Sequence, residues 1–537
     1  MRVSTLHIHR NLLDSKHVFF AYFPHKLSPP KLRESPRSRV AHCIAEASQG
    51  PMLAVLLALA VPPDSLRECP DTNAYAQKHR QTAIVNALDH AWKAYKKLAW
   101  GADEIDSVKR TPVHSYNMSL TLVDSLDTLY IMGRRQDFNT AANYVNTSLD
   151  FQTQEDVNVF EVTIRVLGGL LAAFELSGNP ALLDCATKLG NKLLVAFETP
   201  TGLPLGTVGF SSGKAYNPAW AMGSSSIAEI ATLQLEFSTL SRHTGNPIYH
   251  SKAQAVMQYL RTMHRPEGLP IGLYPTMINP KTGQFTSSDL TLGARADSTY
   301  EYFLKQWLIS DKTNQLALDM YLESVRAIRD KLVVHGGEFC NNCTYLARLN
   351  YKTKSYDHRM DHLVCFVPGM LALGVHSGAA GDDSVEHLQL AVDLMKTCAS
   401  MYFDQSSGLA PEIAHFSLSH GDRIRGDSNA LHNLLRPETV ESLFILWRVT
   451  GDQIYREWGW RIFRAFERQC RIPSGGYSSI RDVTSLHPDH TGKMESFFTA
   501  ETLKYLYLLF AESSEMPLDE YVFNTEAHPL RIHRYYE

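Results

Sequence analysis

Paired helices, each pair broken by a glycine stop, constrain this chain's fold more than any other feature of its sequence. From about residue 80 onward, amphipathic stretches alternate with short turns. The 3.6-residue period is plain in Ile84, Val85, Leu88, Ala91, Trp92 and Tyr95, and again in Leu503, Leu506, Tyr507 and Phe510. Between the helices of a pair stands Gly with a polar neighbour: Ser177-Gly178-Asn179-Pro180, Thr244-Gly245-Asn246-Pro247 and Thr450-Gly451-Asp452. Gly ends the first helix in the left-handed conformation, and Asn or Asp caps the second. A Gly-rich loop follows each second helix, as at Thr201-Gly202-Leu203-Pro204 and Ser474-Gly475-Gly476-Tyr477. The unit recurs roughly every sixty to seventy residues, about seven times. Each pair leaves a face that its neighbour must cover, so the expected fold is all-α, one toroid of inner and outer helices. A purely structural solenoid would repeat in the same way, so the period by itself carries no chemistry.

Chemistry enters at the first helix of each pair. These helices should all start at one end of the toroid, and acids recur near their starts: Asp124, Glu161, Glu229, Asp297, Asp361, Glu438 and Glu495. One acid in a first turn is ordinary, since the helix dipole favours it by about 0.3–1 kcal/mol. Here arginines keep them company: Arg165 one turn after Glu161, Arg295 before Asp297, and Arg436 before Glu438. Carboxylates transfer protons, while guanidinium groups bind hydroxyls and hold nearby carboxylates ionised. Clustered oxygen donors also suit calcium. A polyacidic pocket fit for a sugar follows, without any assignment of which acid does what.

Composition excludes other classes. The 537 residues carry a net charge of −4 and 44% hydrophobic residues, as in an ordinary globular protein. This near-neutral balance gives no support to nucleic-acid binding, which wants a basic face. Eight cysteines are too few for a disulfide scaffold. Residues 1–66 read as a basic and apolar targeting or anchor segment, and 67–537 as the catalytic domain. The run Met52–Val61 is too short to span a bilayer, which takes about 20 residues. A signal anchor, an extended n-region, a misplaced start codon and an ordinary buried segment all fit it, so membrane attachment stays open. Sequons at Asn117, Asn146 and Asn342 agree with a secretory route.

Six segments resemble glycoside hydrolase family 47, the class I α-1,2-mannosidases. They are Phe160–Leu171, Gly293–Tyr302, Met360–Phe366, Leu435–Ser442, Lys493–Phe498 and Phe523–Pro529, in the family's order over roughly residues 75–537. The resemblance implies an (α/α)7 barrel and calcium-dependent, inverting hydrolysis of α-1,2-linked mannose from high-mannose N-glycans. Glu161 matches the general acid and Glu438 the favoured base, with Asp297 the other candidate for either role. Thr525 would hold Ca2+ through its carbonyl and hydroxyl, and Glu229, Glu441, Glu495 and Glu526 would position its waters. Arg165, Arg295, His362, Arg436 and Phe498 would contact substrate. Cys365 and Cys398 match a recurring disulfide, which points to the secretory pathway. Cys340 and Cys343 could form a local disulfide or remain free thiols.

The Gly-Ala-Arg-Ala-Asp context of Arg295 resembles the endoplasmic reticulum subgroup, whose members trim nine mannoses to one eight-mannose isomer. The stretch Asn117-Met118-Ser119-Leu120 departs from the family, which is richer in Gly and aromatic residues there. A monomer is expected. The rival reading is a non-catalytic glycan-binding factor in glycoprotein quality control.

Overall fold

The computed structural model describes residues 74–336, 343–416 and 424–533. Residues 1–66 and Cys340 lie outside that set. Among the described residues, the helices form seven inner and outer pairs. The inner ring runs through Leu126–Ile131, Gly168–Ser177, Gln234–Thr244, Asp297–Ile309, Val367–His376, Glu438–Thr450 and Leu503–Phe510. Each packs on the next, and Phe498–Thr502 meets Leu126–Ile131 to close the ring. The outer partners are Arg135–Ser148, Pro180–Leu193, Ile248–Thr262, Gln315–Lys331, Ser384–Phe403 and Ile454–Gln469. Ala74–Leu98 packs on Leu503–Phe510 and supplies the seventh. This is the (α/α)7 barrel that the repeat and the resemblance implied.

The two shells differ in how the sequence is used. The outer helix Ile454–Gln469 buries one stripe, Tyr455, Gly459, Ile462, Phe463 and Phe466. The inner helix Asp297–Ile309 buries every residue from Ser298 onward. Each large apolar side chain so placed contributes about 1.5–3 kcal/mol. Burial on all sides also forces polar residues of the inner ring to find partners there, as Glu301 and Lys305 do in an ion pair. The turns within pairs form as expected: Gly178, Gly245 and Gly451 take φ of 71°, 69° and 73°. Asn179, Asn246 and Asp452 then accept from backbone N–H groups of the following helix.

The barrel's two ends are unlike. Tight turns join inner to outer helices at one end. At the other, longer connections carry short antiparallel sheets, for example Asp156–Asn158 with Thr207–Gly209, and Arg359–Asp361 with Ile413–His415. Strands of two or three residues show no alternation long enough to read, so the sequence presented these segments only as Gly-rich loops. They stand where the inner helices begin.

A last hairpin enters from the tight-turn end. Tyr521–Phe523 pairs with Pro529–Arg531, with Val522 opposite Leu530, between the inner helices Gly168–Ser177 and Asp297–Ile309. Its base is tied by Arg531 N–H to Glu175 (2.7 Å) and by His533 N–H to the Ile309 carbonyl (2.9 Å). Its tip, residues 524–528, lies within the ring. A disulfide between Cys365 and Cys398, Cα atoms 5.8 Å apart, ties the turn His362–Phe366, which leads into an inner helix, to the outer helix Ser384–Phe403. Cys343 is also disulfide-bonded. No described helix is long and apolar enough to cross a membrane.

Candidate active site

Two inner helices open with a π-helical turn, Val162–Leu167 and Phe498–Thr502. Such turns concentrate at functional sites, and both of these flank the acids. Asn158 caps the first helix by accepting from Glu161 N–H at 2.9 Å, which fixes that residue at the helix mouth. Arg165 donates Nε–H to Glu161 Oε2 at 2.8 Å, pairs with Glu526, and lies 3.8 Å from Asp124. Ser496 Oγ donates to Asp124 at 2.5 Å and sits 3.4 Å from Arg165. One guanidinium thus joins Glu161 to the hairpin tip.

Across the ring, Pro437 precedes Glu438, the first residue of its helix. His362 Nδ1 lies 2.8 Å from Glu438 Oε2, while its Nε2 meets Tyr402 Oη at 2.8 Å and Thr439 Oγ1 at 3.1 Å. Burial would raise the Glu438 carboxyl. The His362 hydrogen bond and the charges of His362 and Arg436 outweigh burial and hold it below the usual range. Arg436 is itself held by Glu412 through Nε at 2.8 Å. Asp297, first in its helix, behaves oppositely. Burial, with Glu301, Glu438 and Asp361 adding repulsion, pushes it up to about 7 despite the Ser298 N–H it accepts. Their surroundings thus move these two carboxyls in opposite directions, Glu438 towards the carboxylate and Asp297 towards the acid.

Arg165 and Arg436 lie 5.6 and 5.8 Å from the ring of Phe497, which is almost wholly buried. Phe498, expected to touch substrate, is 1% exposed and packs against Phe466 and Tyr477 instead. Arg295 stays at the exposed rim with a left-handed φ of 78°, its guanidinium 5.3 Å over the ring of Trp220.

The barrel floor is crowded with acids. Glu301 pairs with Lys305, and Lys305 lies 3.7 Å from Glu441. Burial pushes Glu441 up to about 8 against the pull of Lys305, with Glu301 and Glu438 adding repulsion. Burial and the charges of Glu526 and Glu438 hold Glu501 well above its ordinary value. Glu526 is raised by burial and by Asp124 and Glu161, in spite of Arg165. Glu236 accepts from Tyr302 Oη at 2.6 Å, yet its buried Oε2 has no partner among the described residues. Burial lifts it to about 7. Thr525 stands among these groups as the one partly exposed residue of the tip, flanked by buried Asn524 and Glu526. Raised carboxyls, an orphaned carboxylate oxygen and a hydroxyl beside a carbonyl form a donor set suited to a hard divalent cation. Among the described residues, no three His, Cys, Asp or Glu side chains converge as direct ligands.

Two expected water-holding acids have other partners. Glu229 closes a capping box with Ser226 and accepts from Asn158 Nδ2 at 2.8 Å. Glu495 pairs with Lys493 at 2.7 Å, beside Glu104. Glu501, unremarked in the sequence, occupies the floor one π-helical turn further on. Glu236, Glu301, Tyr402, Phe497 and Asn524 were likewise unremarked. The sequence signal for Glu301 and Glu501 was their place one turn beyond Asp297 and Phe497.

The family model for glycosyl hydrolase family 47 matches residues 87–532. The chain is 46% identical over 460 residues to the endoplasmic reticulum mannosyl-oligosaccharide 1,2-alpha-mannosidase of Rattus norvegicus, covering 84% of this chain and 68% of that protein. For the Homo sapiens enzyme of the same name the figures are 45%, 84% and 64%, so the chain spans only about two thirds of these relatives. The solved alpha-1,2-mannosidase from Trichoderma reesei superposes with a TM-score of 0.77 at 31% identity, covering 85% of this chain and 99% of that one. With the family matched along nearly the whole barrel, this chain belongs to glycosyl hydrolase family 47.

Proposed function

We propose that this chain removes terminal α-1,2-linked mannose from high-mannose N-glycans by a calcium-dependent, inverting mechanism. We assign it the trimming of nine mannoses to a single eight-mannose isomer in the endoplasmic reticulum. The observation that carries the reading is the family match over residues 87–532 with the acid ring at its centre. The mammalian relatives' names supply the linkage and the compartment, and the Cys365–Cys398 disulfide suits an oxidising lumen.

Inverting hydrolysis needs a base to activate water and an acid to protonate the leaving oxygen. Glu438, kept ionised by His362 and Arg436, is the base. It takes a proton from water as the water oxygen bonds to the anomeric carbon and the glycosidic C–O bond breaks. Glu161, oriented by Arg165, delivers the proton to the departing sugar oxygen. A second reading gives that proton to Asp297, because Asp297 retains it up to about pH 7. Thr525 would hold calcium, with Glu441, Glu501 and Glu526 ordering its waters; the ion would bind sugar hydroxyls and offset the floor's excess negative charge. Arg295, braced on Trp220 at the rim, would meet a glycan branch and restrict which one enters.

The test is a time course on the nine-mannose glycan, with and without chelator, resolving isomers and the anomer first released. Calcium-dependent arrest at one eight-mannose isomer with β-mannose released first is expected. Trimming on to five mannoses would refute the role of Arg295, and α-mannose would refute inversion. Bound glycan without turnover would favour the binding-factor reading. α-Mannosyl fluoride, whose leaving group needs little protonation, separates the acids: it should restore turnover to the variant lacking the true acid, Glu161→Gln or Asp297→Asn.

A further inference from the structure

We infer that Asn524 is the positioning residue for Thr525, and that with His528 it makes the hairpin tip a rigid seat which sets calcium affinity. The inference rests on the calcium reading above and deepens it.

Asn524 uses its whole hydrogen-bonding capacity. Its Oδ1 accepts from the N–H groups of Glu526 (2.9 Å) and His528 (2.8 Å). Its Nδ2 donates to the Ile164 carbonyl (2.9 Å), inside a π-helical turn, and to Glu236 Oε1 (2.8 Å). The backbone closes the same loop: Asn524 N–H to the His528 carbonyl at 3.0 Å, and Ala527 N–H to the Asn524 carbonyl at 3.1 Å. The first set of bonds shapes the turn around Thr525. The second ties that turn to two different inner helices.

His528 braces the far side. Its ring nitrogens lie 3.1 Å from Asp124 Oδ1 and 3.0 Å from Asp127 Oδ2. Lys504 donates to Asp127 Oδ2 (2.8 Å) and to the Ala527 carbonyl (2.7 Å). The tip slides against Gly168 and Gly169, which leave room for nothing larger. A Cβ at Gly168 would stand 2.6 Å from Asn524 Nδ2, and one at Gly169 would stand 3.2 Å from the His528 ring. Asn524 and His528 are buried, and neither has a bond left for substrate. Their effect must pass through the geometry of Thr525. A seat held in its bound shape before the ion arrives has less ordering to do on binding.

The experiment is calcium titration of the metal-stripped full chain by calorimetry, with the apo fold checked by near-ultraviolet circular dichroism. Asn524→Asp keeps the size and the acceptor but loses both donors. It should raise the calcium Kd at least tenfold while the apo spectrum stays native. Should that variant not fold, His528→Asn, which removes the other brace, should raise Kd at least fivefold. A Kd within twofold of the parent in a folded variant overturns the inference and leaves the calcium reading standing. No calcium binding by the parent chain itself overturns both.

Discussion

The hairpin's footing and the ring of acids above it are built from the same residue types and treat charge in opposite ways. Below the tip, Asp124 and Asp127 are matched by His528 and Lys504, all four fully buried and at contact distance. Above it, Glu441, Glu501 and Glu526 outnumber the cations near them, and all three carboxyls are pushed upward. Compensated buried charge specifies structure. Uncompensated buried carboxyls cost free energy when ionised and are driven towards their protonated form. Footing and floor thus differ in kind: the first locks the barrel, and the second is the part assigned to calcium under the proposed function.

That contrast can be broken by substitution, and the sign of the effect matters more than its size. Lys504→Met leaves Asp127 short of a partner in the footing and should destabilise by about 3–5 kcal/mol, measured by denaturant unfolding in chelator. The next effect is one of pH. Burial alone would lower His528, but Asp127 and Asp124 raise it to about 9 from an ordinary 6.5. A raised histidine stabilises fully below its unfolded value and loses that contribution as pH rises through its folded one. Stability in chelator should therefore fall by on the order of 3 kcal/mol between pH 6.5 and 9, and His528→Gln should flatten that slope.

In the acid ring the sign reverses. The Glu441 carboxyl, raised to about 8 when folded, costs stability progressively as pH rises above its unfolded value near 4.5. Glu441→Gln should stabilise the chelated protein at pH 7, by on the order of 3 kcal/mol, while weakening calcium binding. A loss of stability there would mean the floor is compensated after all. The smallest effect marks where the comparison ends. Lys96 and Asp137 also pair at 2.8 Å, but at the surface, and Lys96→Ala should change stability by no more than about 0.5 kcal/mol in thermal unfolding.

How much of this was readable from sequence depends on which shell a residue belongs to. Outer helices show one apolar stripe, and the glycine stops between helices mark each pair, so seven pairs could be counted from residues such as Gly178 and Gly451. Glu161, Asp297 and Glu438 were legible because a first-turn acid at a helix mouth has a known place. Glu236 was not, because an inner helix buried on every side has no polar face to single it out, and Glu301 had only its place one turn beyond Asp297 to mark it. Phe497 and Phe498 show a further limit. A π-helical turn begins at Phe498, and its wider winding breaks the 3.6-residue count that would say which of two adjacent rings points inward. The hairpin tip was found only through resemblance, since Asn524 through His528 carry no periodicity at all.

The hairpin also orders events in time. It follows all seven helix pairs along the chain, so a ribosome completes the walls before it makes the floor. Until residues 521–531 emerge, the slot beside Gly168 and Gly169 is open, Asp124 and Asp127 lack His528, and Thr525 is absent. A barrel without this hairpin would keep its helical walls but lack Thr525 and the partners that His528 gives to Asp124 and Asp127.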